Sequence, residues 1–350
     1  MTIRIALDAM GGDHGISVVV PAALQSLKDD KDLLITLVGD EAQLTSALAE
    51  QTSKHKQRVT IQHASQVVTM DELPSVALRK KKDSSMRVAI NLVKQKQVDA
   101  CVSAGNTGAL MATARFVLKT LPGIQRPAII TTIPSLSGTS LNAFCHVLDL
   151  GANIDVTSDQ LFQFAIMGSV LSQAVDGNKS PRIGLLNIGA EEIKGKEVIK
   201  AAGAILSSQK NLNYVGFVEA DGIFKGVADV VVCDGFDGNV ALKSCEGTAH
   251  LISKHLKAAF NKNIFTKLMG LIALPALRSV KKAIDPRYYN GASLLGLKGI
   301  VIKSHGSADV YAYTRAIDEA RLEIVKAVPN LIAETLQDIL VEKKHESTDK

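Results

Sequence analysis

Two patterns of apolar residues alternate along the chain. Short continuous apolar runs, which predict buried strands, occur at residues 3–9, 33–38, 59–64, 98–102, 128–133, 142–148, 182–187, 214–218, 230–233 and 299–303. Between most of these runs, apolar residues recur every three or four positions and predict helices, usually after a loop that contains glycine. This alternation predicts a three-layer α/β/α fold: a doubly wound, mostly parallel sheet with helices on both faces.

The length of 350 residues suits either two domains or one large α/β unit. Because proline is too scarce for a long proline-rich linker, we expect a single large domain over residues 1–340. Residues 247–284 are expected to form a helical insertion that protrudes from it. Residues 341–350 are rich in charge, which predicts a disordered tail.

Composition argues against several classes of protein. Hydrophobic residues make up 46% of the chain and charged residues 21%, as in a soluble globular enzyme. The 4% of aromatic residues and the absence of tryptophan argue against a protein that stacks nucleic-acid bases. The four cysteines lack the spacing of a zinc site, and we expect neither a metal nor another cofactor. The amino terminus has no signal-peptide pattern, and we expect a cytoplasmic protein.

In parallel sheets the ligand binds beyond the carboxyl ends of the strands, where helix N-termini favour anions. The loops that follow five of the predicted strands contain Gly11, Gly105, Gly189, Gly235 and Gly306. We therefore expect these five loops to gather at one edge of the sheet and to form the site there.

The loop after the first predicted strand has neither the G-x-G-x-x-G pattern of a dinucleotide site nor the Lys-Ser/Thr pair of a P-loop. It is either a tight turn or a ligand-binding loop formed by Gly11, Gly12 and Asp13. In the second case His14 would donate an N–H to an oxyanion or a phosphate.

The loop after the strand at residues 98–102 carries small and hydroxyl side chains, which let backbone amides approach a ligand closely. Its candidate binding residues are Ser103, Gly105, Asn106, Thr107 and Gly108. Asn106 and Thr107 also suit plain capping of the next helix, and both roles are compatible.

Two loops in the second half of the chain carry further candidates. Asn187 and Gly189 end a predicted strand, and Lys194 follows at a position where a lysine either binds phosphate or is simply solvated. Asn239 follows another strand, and its amide either polarises a carbonyl group or caps a helix.

The basic charge of the chain is concentrated in residues 247–284. This segment holds seven lysines and arginines and no acidic residue, so it carries +7 while the rest of the chain sums to −2. Its apolar spacing predicts a basic amphipathic helical hairpin on an anionic membrane surface. The expected contacts are Lys254, Lys257, Phe260, Lys262, Phe265 and Leu268. Core helices with snorkelling lysines and a dimer interface are the alternative interpretations.

A second basic run comprises Arg79, Lys80, Lys81 and Lys82. Such a run is usually a solvated face of the protein. It also suits docking of an acidic partner through charge complementarity.

Several blocks of the chain resemble, in order, those of the PlsX family of phosphate acyltransferases. They are residues 5–13, 78–86, 103–110, 126–128, 149–153, 187–189, 219–223 and 234–239, and the match covers about residues 3–328. The stretch 288–293 departs from the family pattern, which weakens any role for Asn290 or Ser293. The resemblance implies a fold similar to that of phosphotransacetylases and of isocitrate and isopropylmalate dehydrogenases.

The resemblance also implies a reaction, in which an acyl group passes from acyl-[acyl carrier protein] to inorganic phosphate. It implies a cytoplasmic bacterial homodimer that feeds a membrane acyl-phosphate:glycerol-3-phosphate acyltransferase. Phosphate is itself the nucleophile, so the site has only to bind it, align it and stabilise the oxyanion. We expect Lys194 and the amides of the Gly11 and Gly105 loops to bind phosphate. Asn239 and His14 would serve the oxyanion and leaving group, and the run at 79–82 the carrier protein.

Two other functions are kept open at this point. One is a short-chain phosphotransacetylase that uses acyl-CoA, and the other is a non-catalytic scaffold on the membrane surface. No nucleic-acid partner is expected.

Overall fold

The computed structural model of the protein describes the backbone of residues 1–137 and 140–348, and the side chains of 1–136, 144–280 and 285–339. In this part of the chain eleven strands form one sheet: β1 (Ile3–Asp8), β2 (Leu33–Gly39), β3 (Val59–His63), β4 (Ala100–Ser103), β5 (Ala128–Ser137), β6 (Ser140–Leu148), β7 (Arg182–Leu186), β8 (Asn213–Val218), β9 (Val230–Val232), β10 (Ala292–Leu295) and β11 (Ile300–Lys303). Their order across the sheet is β3-β2-β1-β4-β11-β10-β5-β6-β9-β7-β8.

Helices cover both faces of this sheet. They are α1 (Ile16–Asp29), α2 (Glu41–Ala49), α3 (Pro74–Lys80), α4 (Ser85–Lys94), α5 (Thr107–Leu118), α6 (Ser158–Asp176), α7 (Glu197–Ser207), α8 (Ala220–Lys225), α9 (Gly235–Phe260), α10 (Ile264–Ile284), α11 (Val310–Val325) and α12 (Val328–Thr348). Apolar residues of α4, α5 and α8 pack on one face, and those of α1, α11, α6, α7 and α12 on the other. The predicted three-layer fold is thus confirmed.

The strands of the sheet run in two opposite directions. β1, β2, β3, β4 and β11 are parallel to one another, and so are β6, β7, β8 and β9. Between these two sets lie three successive antiparallel pairings, β11 with β10, β10 with β5, and β5 with β6. An odd number of antiparallel steps reverses the direction, so the two sets have their carboxyl ends at opposite edges.

The expectation that five glycine loops gather at one edge is therefore wrong. The loops at Gly11, Gly105 and Gly306 leave one edge, and those at Gly189 and Gly235 leave the opposite edge. The physical reason is that a buried apolar run predicts a strand but not its direction. The short strand β10, which takes part in two of the three antiparallel pairings, was not predicted at all.

Residues 247–284 form a helical hairpin, as predicted, made of the second half of α9 and of α10. We call residues 247–284 the helical hairpin. Its large apolar side chains face outward: Phe265 is 75% exposed and Ile272 82%. The interpretation as core helices is thus wrong. Phe260 differs from the other expected membrane contacts because it is half-buried against Gly270 of α10, in the seam between the two helices.

Helix α12 replaces most of the disordered tail that we expected at residues 341–350. Its backbone is helical to Thr348, and residues 349 and 350 lie outside the described residues. The helix begins on the body, where Ile332 and Leu336 are buried against α6. It continues through glutamate and lysine, which are good helix formers. None of the described helices is both long and apolar enough to cross a bilayer.

Candidate active site

The first group of candidate residues lies where β1, β4 and β11 end. We call it the first loop group (Gly11–Asp13, Ser103–Asn106 and Lys303–Gly306). The strand register places Asp8, Ser103 and Lys303 side by side at the ends of three neighbouring parallel strands. Because side chains alternate between the faces of a sheet, these three polar side chains share the face on which α4 and α5 pack.

Hydrogen bonds fix the loops of this group to one another. Ser103 Oγ donates to Asp8 Oδ2 at 2.6 Å and accepts from the amide of Gly105 at 3.1 Å. The amide of Asp13 donates to the carbonyl of Gly306 at 2.8 Å. Burial raises the pKa of Asp8, although the hydroxyl of Ser103 opposes this effect. These hydrogen bonds therefore connect the loops after β1, β4 and β11 into one polar cluster.

Gly12 is required for this close approach. Its φ is +84°, a backbone conformation that residues other than glycine rarely adopt. A Cβ at this position would lie 2.8 Å from Ala104 Cβ and 2.9 Å from the carbonyl oxygen of Gly306. Gly12 thus lets the ends of β1, β4 and β11 meet, and this packing is compatible with both the tight-turn and the ligand-loop interpretations of Gly11, Gly12 and Asp13.

Lys303 was missed by the sequence analysis. It is 9% exposed, and its Nζ donates to the carbonyl oxygens of Ala104 and Ser304. Burial, together with the charge of Lys243, lowers the pKa of Lys303 to about 8, although Asp8 and Asp13 oppose the shift. The available signal was a lysine at the last position of a buried strand, immediately before His305 and Gly306.

Asn290 fixes the loop that follows β11. Its Nδ2 donates to Ser304 Oγ at 2.9 Å and to the carbonyl of Ala312 at 2.7 Å, and its Oδ1 accepts from the amide of His305 at 2.9 Å. The departure of this stretch from the family pattern weakened any role for Asn290. The geometry gives it a supporting role in the first loop group.

The remaining candidates of this group differ in exposure. Asn106 caps α5, since its Oδ1 accepts from the amide of Ala109 at 3.0 Å, and its Nδ2 donates to the carbonyl of Glu72 at 2.9 Å. Thr107, Gly108 and His14 are exposed.

The second group of candidate residues lies at the opposite edge. We call it the second loop group (Asp149–Asn153, Asn187–Lys196 and Asp234–Asn239). Buried Asp149, which the sequence analysis missed as a site residue, accepts from the amides of Ile129 at 2.9 Å, Ala152 at 3.1 Å and Asn153 at 2.6 Å. Burial raises the pKa of Asp149, and these hydrogen bonds oppose the rise. Asp149 therefore organises the backbone on which α9 begins.

Two lysines of the second loop group make different ion pairs. Lys194 is exposed and its Nζ lies 2.9 Å from Glu191 Oε1, which raises the pKa of Lys194. Lys196, also missed, is 3.0 Å from both Asp234 and Asp237. Buried Asn187 donates from Nδ2 to the carbonyl of Lys194 at 3.0 Å and so shapes the loop that includes Gly189.

Asn239 is exposed on the first turns of α9. It does not cap this helix, because Asp234 does so by accepting from the amide of Asp237 at 2.7 Å. The alternative interpretation of Asn239 as a cap is thus wrong. Its amide is left beside Gly151, where a Cβ would lie 3.7 Å from Asn239 Oδ1.

Helix α9 connects the two loop groups. It begins in the second group, and the charge of Lys243 on the same helix lowers the pKa of both Lys303 and His305 in the first. Asn239 lies four residues before Lys243, which is one helical turn or roughly 6 Å. Asn239 is therefore placed on the helix between the two groups, although the sheet itself separates them.

The candidate docking run is only partly free for a partner. Arg79, Lys80 and Lys82 are exposed at the end of α3, whereas the ammonium of Lys81 donates to the carbonyl of Val67 at 3.2 Å. Lys81 is thus hydrogen-bonded to the segment between β3 and α3. Among the described side chains, those of residues 1–136, 144–280 and 285–339, no three His, Cys, Asp or Glu groups come together as ligands for a metal ion.

The fold is an α/β fold similar to that of phosphotransacetylases. A phosphotransacetylase from Streptococcus pyogenes superposes with a TM-score of 0.60 at 20% identity, over 93% of this chain and 94% of that one. This likeness concerns the fold.

Sequence comparison identifies the family. Residues 3–330 match the family described as fatty acid synthesis protein. Phosphate acyltransferases from Alkalilimnicola ehrlichii and Hydrogenovibrio crunogenus are each 59% identical to this chain, covering 98% and 97% of it and 98% and 99% of their own lengths. The chain therefore belongs to the PlsX family of phosphate acyltransferases, as the sequence blocks predicted.

Proposed function

We propose that the protein transfers a long-chain acyl group from acyl-[acyl carrier protein] to inorganic phosphate, giving acyl phosphate for phospholipid synthesis. The observation that carries this proposal is the pair of loop groups joined by α9. The first group offers a buried ammonium, which suits an anion, and the second offers an exposed side-chain amide and an exposed lysine, which suit a carbonyl group.

In the proposed reaction a phosphate oxygen attacks the thioester carbonyl carbon and forms the new C–O bond. The C–S bond then breaks, and the phosphopantetheine thiolate leaves and takes a proton from water or from exposed His14. No enzyme nucleophile is required, because phosphate is already an anion. Burial raises the pKa of the Cys145 thiol to about 12, and buried Cys101 and Cys233 also have raised pKa values, so these thiols do not suit covalent catalysis.

The candidate residues divide between the two groups. The first loop group serves phosphate, although the amides of Gly11 and Gly105 are already donated to Asp8 and to Ser103 Oγ. Asn239 donates to the oxyanion that develops on the thioester carbonyl, and Lys194 supplies positive charge near it. In the sequence hypothesis Lys194 bound phosphate together with the Gly105 loop. Because these two loops leave opposite edges of the sheet, we propose that phosphate binds in the first group and that the thioester reaches it along α9, on which Asn239 lies.

The surfaces of the molecule fit the proposed partners. Arg79, Lys80 and Lys82 offer a basic patch for the acidic carrier protein. The exposed apolar and basic side chains of the helical hairpin suit peripheral contact with an anionic membrane and also a homodimer interface. We propose a cytoplasmic, peripherally membrane-associated homodimer that hands its product to a membrane glycerol-3-phosphate acyltransferase.

Hydroxylamine trapping tests the reaction directly. The full chain is incubated with phosphate and either acyl-[acyl carrier protein] or acyl-CoA, and acyl phosphate is captured as the hydroxamate. We expect phosphate-dependent product with the carrier protein and much less with acyl-CoA. Faster product formation with acyl-CoA would indicate a phosphotransacetylase instead. Liposome binding without phosphate-dependent loss of either thioester would indicate a scaffold.

A further inference from the structure

Lys303 is a buried cation whose position is not explained by the packing of the core. Removing an ammonium group from water costs several kcal/mol unless polar partners compensate. The partners here are two neutral carbonyl oxygens, those of Ala104 and Ser304, which belong to the loops after β4 and β11. Lys303 therefore joins two loops of the first loop group.

This arrangement leaves one donor of the ammonium for a ligand. A lysine ammonium has three N–H donors, and two of them are directed at the two carbonyl oxygens. The amide of Gly105 follows directly after one of these carbonyls, and Gly12 packs against the same residue, Ala104. A cation and closely packed glycine backbone thus occur together at the end of β11.

Several charged groups act on Lys303 from the surrounding elements. Asp8 of β1 and Asp13 of the following loop favour its charged form, whereas Lys243 of α9 disfavours it. His305 lies in the same loop, and its own pKa is lowered by burial and influenced by Glu246 and Lys303. With these groups in place, the pKa of Lys303 is about 8, so the ammonium form predominates at neutral pH and is lost as pH rises through that value.

We propose that Lys303 binds the inorganic phosphate of the transfer reaction through its third N–H, at the place where the loops after β1, β4 and β11 meet. The inference rests on the proposed function and adds a phosphate-binding side chain that the sequence did not indicate. The role assigned to Lys303 is binding, so its loss affects phosphate more than the acyl donor.

Calorimetry on the unaltered protein gives a first test. Inorganic phosphate is titrated at about pH 8.5, where it is almost entirely the dianion, in two buffers with different heats of ionisation. A bound dianion raises the pKa of a neighbouring ammonium, so we expect uptake of roughly half a proton or more per phosphate bound. Absence of phosphate binding, or binding without proton uptake, overturns the proposal.

Kinetics of matched variants give a second test. In Lys303→Met we expect the KM for phosphate to rise about 10- to 100-fold, the effect of losing a charged hydrogen bond, while the KM for the acyl donor stays within about twofold. Lys298→Met, at the exposed start of the same strand region, is the control with unchanged constants. Lys303→Arg keeps the charge at high pH, so the rise of the phosphate KM between about pH 7 and 9 should be smaller than in the wild type.

A folded Lys303→Met enzyme with an unchanged KM for phosphate overturns the inference, and the calorimetry decides if the variant does not fold. Failure of the proposed function is distinguishable from failure of this site. Wild-type protein that takes up a proton with phosphate but forms no acyl phosphate contradicts the reaction and retains the site. If the wild-type protein forms acyl phosphate but the KM for phosphate is unchanged in Lys303→Met, the reaction is retained and the site is contradicted.

Discussion

The two loop groups hold their lysines in opposite ways. Lys303 in the first group is buried between carbonyl oxygens, and its pKa is lowered to about 8. Lys194 in the second is exposed and paired with Glu191, and its pKa is raised. A buried ammonium without an ion pair interacts strongly with an incoming anion, whereas an exposed and paired ammonium has a competitor that any anion must displace. This difference is why we propose that phosphate binds in the first group and the thioester in the second.

The largest expected effect concerns the second loop group. Lys194→Ala and Asn239→Ala are each expected to lower kcat about 10²- to 10³-fold while the KM for phosphate changes little, because both groups act on the developing oxyanion. Steady-state kinetics with saturating acyl donor measure this. Lys210→Ala, an exposed lysine outside both groups, serves as the control.

If the KM for phosphate rises as much in Lys194→Ala as in Lys303→Met, the proposal that only the first of the two loop groups binds phosphate is contradicted. Near-wild-type turnover in both Lys194→Ala and Asn239→Ala would remove the second loop group from the site.

The attachment of α9 to the second loop group gives the next effect. A Cβ at Gly238 would lie 2.0 Å from the carbonyl oxygen of Asp149, so Gly238→Ala must displace the helix from the body. We expect a loss of about 3 kcal/mol in the free energy of unfolding, measured by urea denaturation. Gly247→Ala on the same helix has no atom within 4 Å of its Cβ and should instead stabilise the helix by roughly 1 kcal/mol. Equal effects at the two glycines would show that α9 is not held this way.

We expect the stability of the protein to depend on pH because of a buried glutamate on α11. Glu323 of α11 is 1% exposed, and burial, with the charge of nearby Glu319, raises its pKa to about 8. The neutral form is thus favoured in the folded protein, so this contribution to stability is full below the unfolded pKa of about 4.3 and is lost as pH rises through 8.

Glu323→Gln removes that loss because the amide cannot ionise. Denaturation at about pH 5 and pH 9 should show similar stabilities at the lower pH, and a variant more stable than wild type by on the order of 2 kcal/mol at the higher. Parallel pH dependence in the two proteins would mean that Glu323 is ionised in the folded state.

The smallest expected effects lie where α9 leaves the body. Lys254, Lys257 and Lys262 are exposed on the helical hairpin. Replacing any one of them by alanine should weaken binding to anionic liposomes by about 1 kcal/mol, without changing turnover of a water-soluble acyl donor. Co-sedimentation measures the partitioning, with Lys28→Ala on the body as control. Equal losses for hairpin and body lysines would contradict a local membrane contact.

Much of the fold can be predicted from the sequence because strand and helix periods are properties of neighbouring residues. The run at 3–9 gives β1, and the spacing after residue 235 gives α9. The reversal of the sheet depends on β10, a four-residue strand that pairs with the next strand, β11, and with β5, which is distant in sequence, and no local pattern shows it.

The candidate site follows the same division. The glycine loops are visible as motifs, so Gly12 and Asn106 were found. Lys303 and Asp149 are set by burial and by contacts with residues distant in sequence, which neighbouring residues do not specify. The local signal for Lys303 is limited to its position at the end of a buried strand. In the sequence, Lys81 is one of four consecutive basic residues and does not differ from the others. In the structure its ammonium donates to the carbonyl of Val67.

Hydrogen–deuterium exchange with and without inorganic phosphate tests the central comparison most directly. We expect phosphate to slow amide exchange at residues 11–13, 104–107 and 304–306, in or next to the first loop group, and to leave exchange at residues 187–195 unchanged. Protection confined to residues 187–195 would contradict the assignment of phosphate to the first loop group.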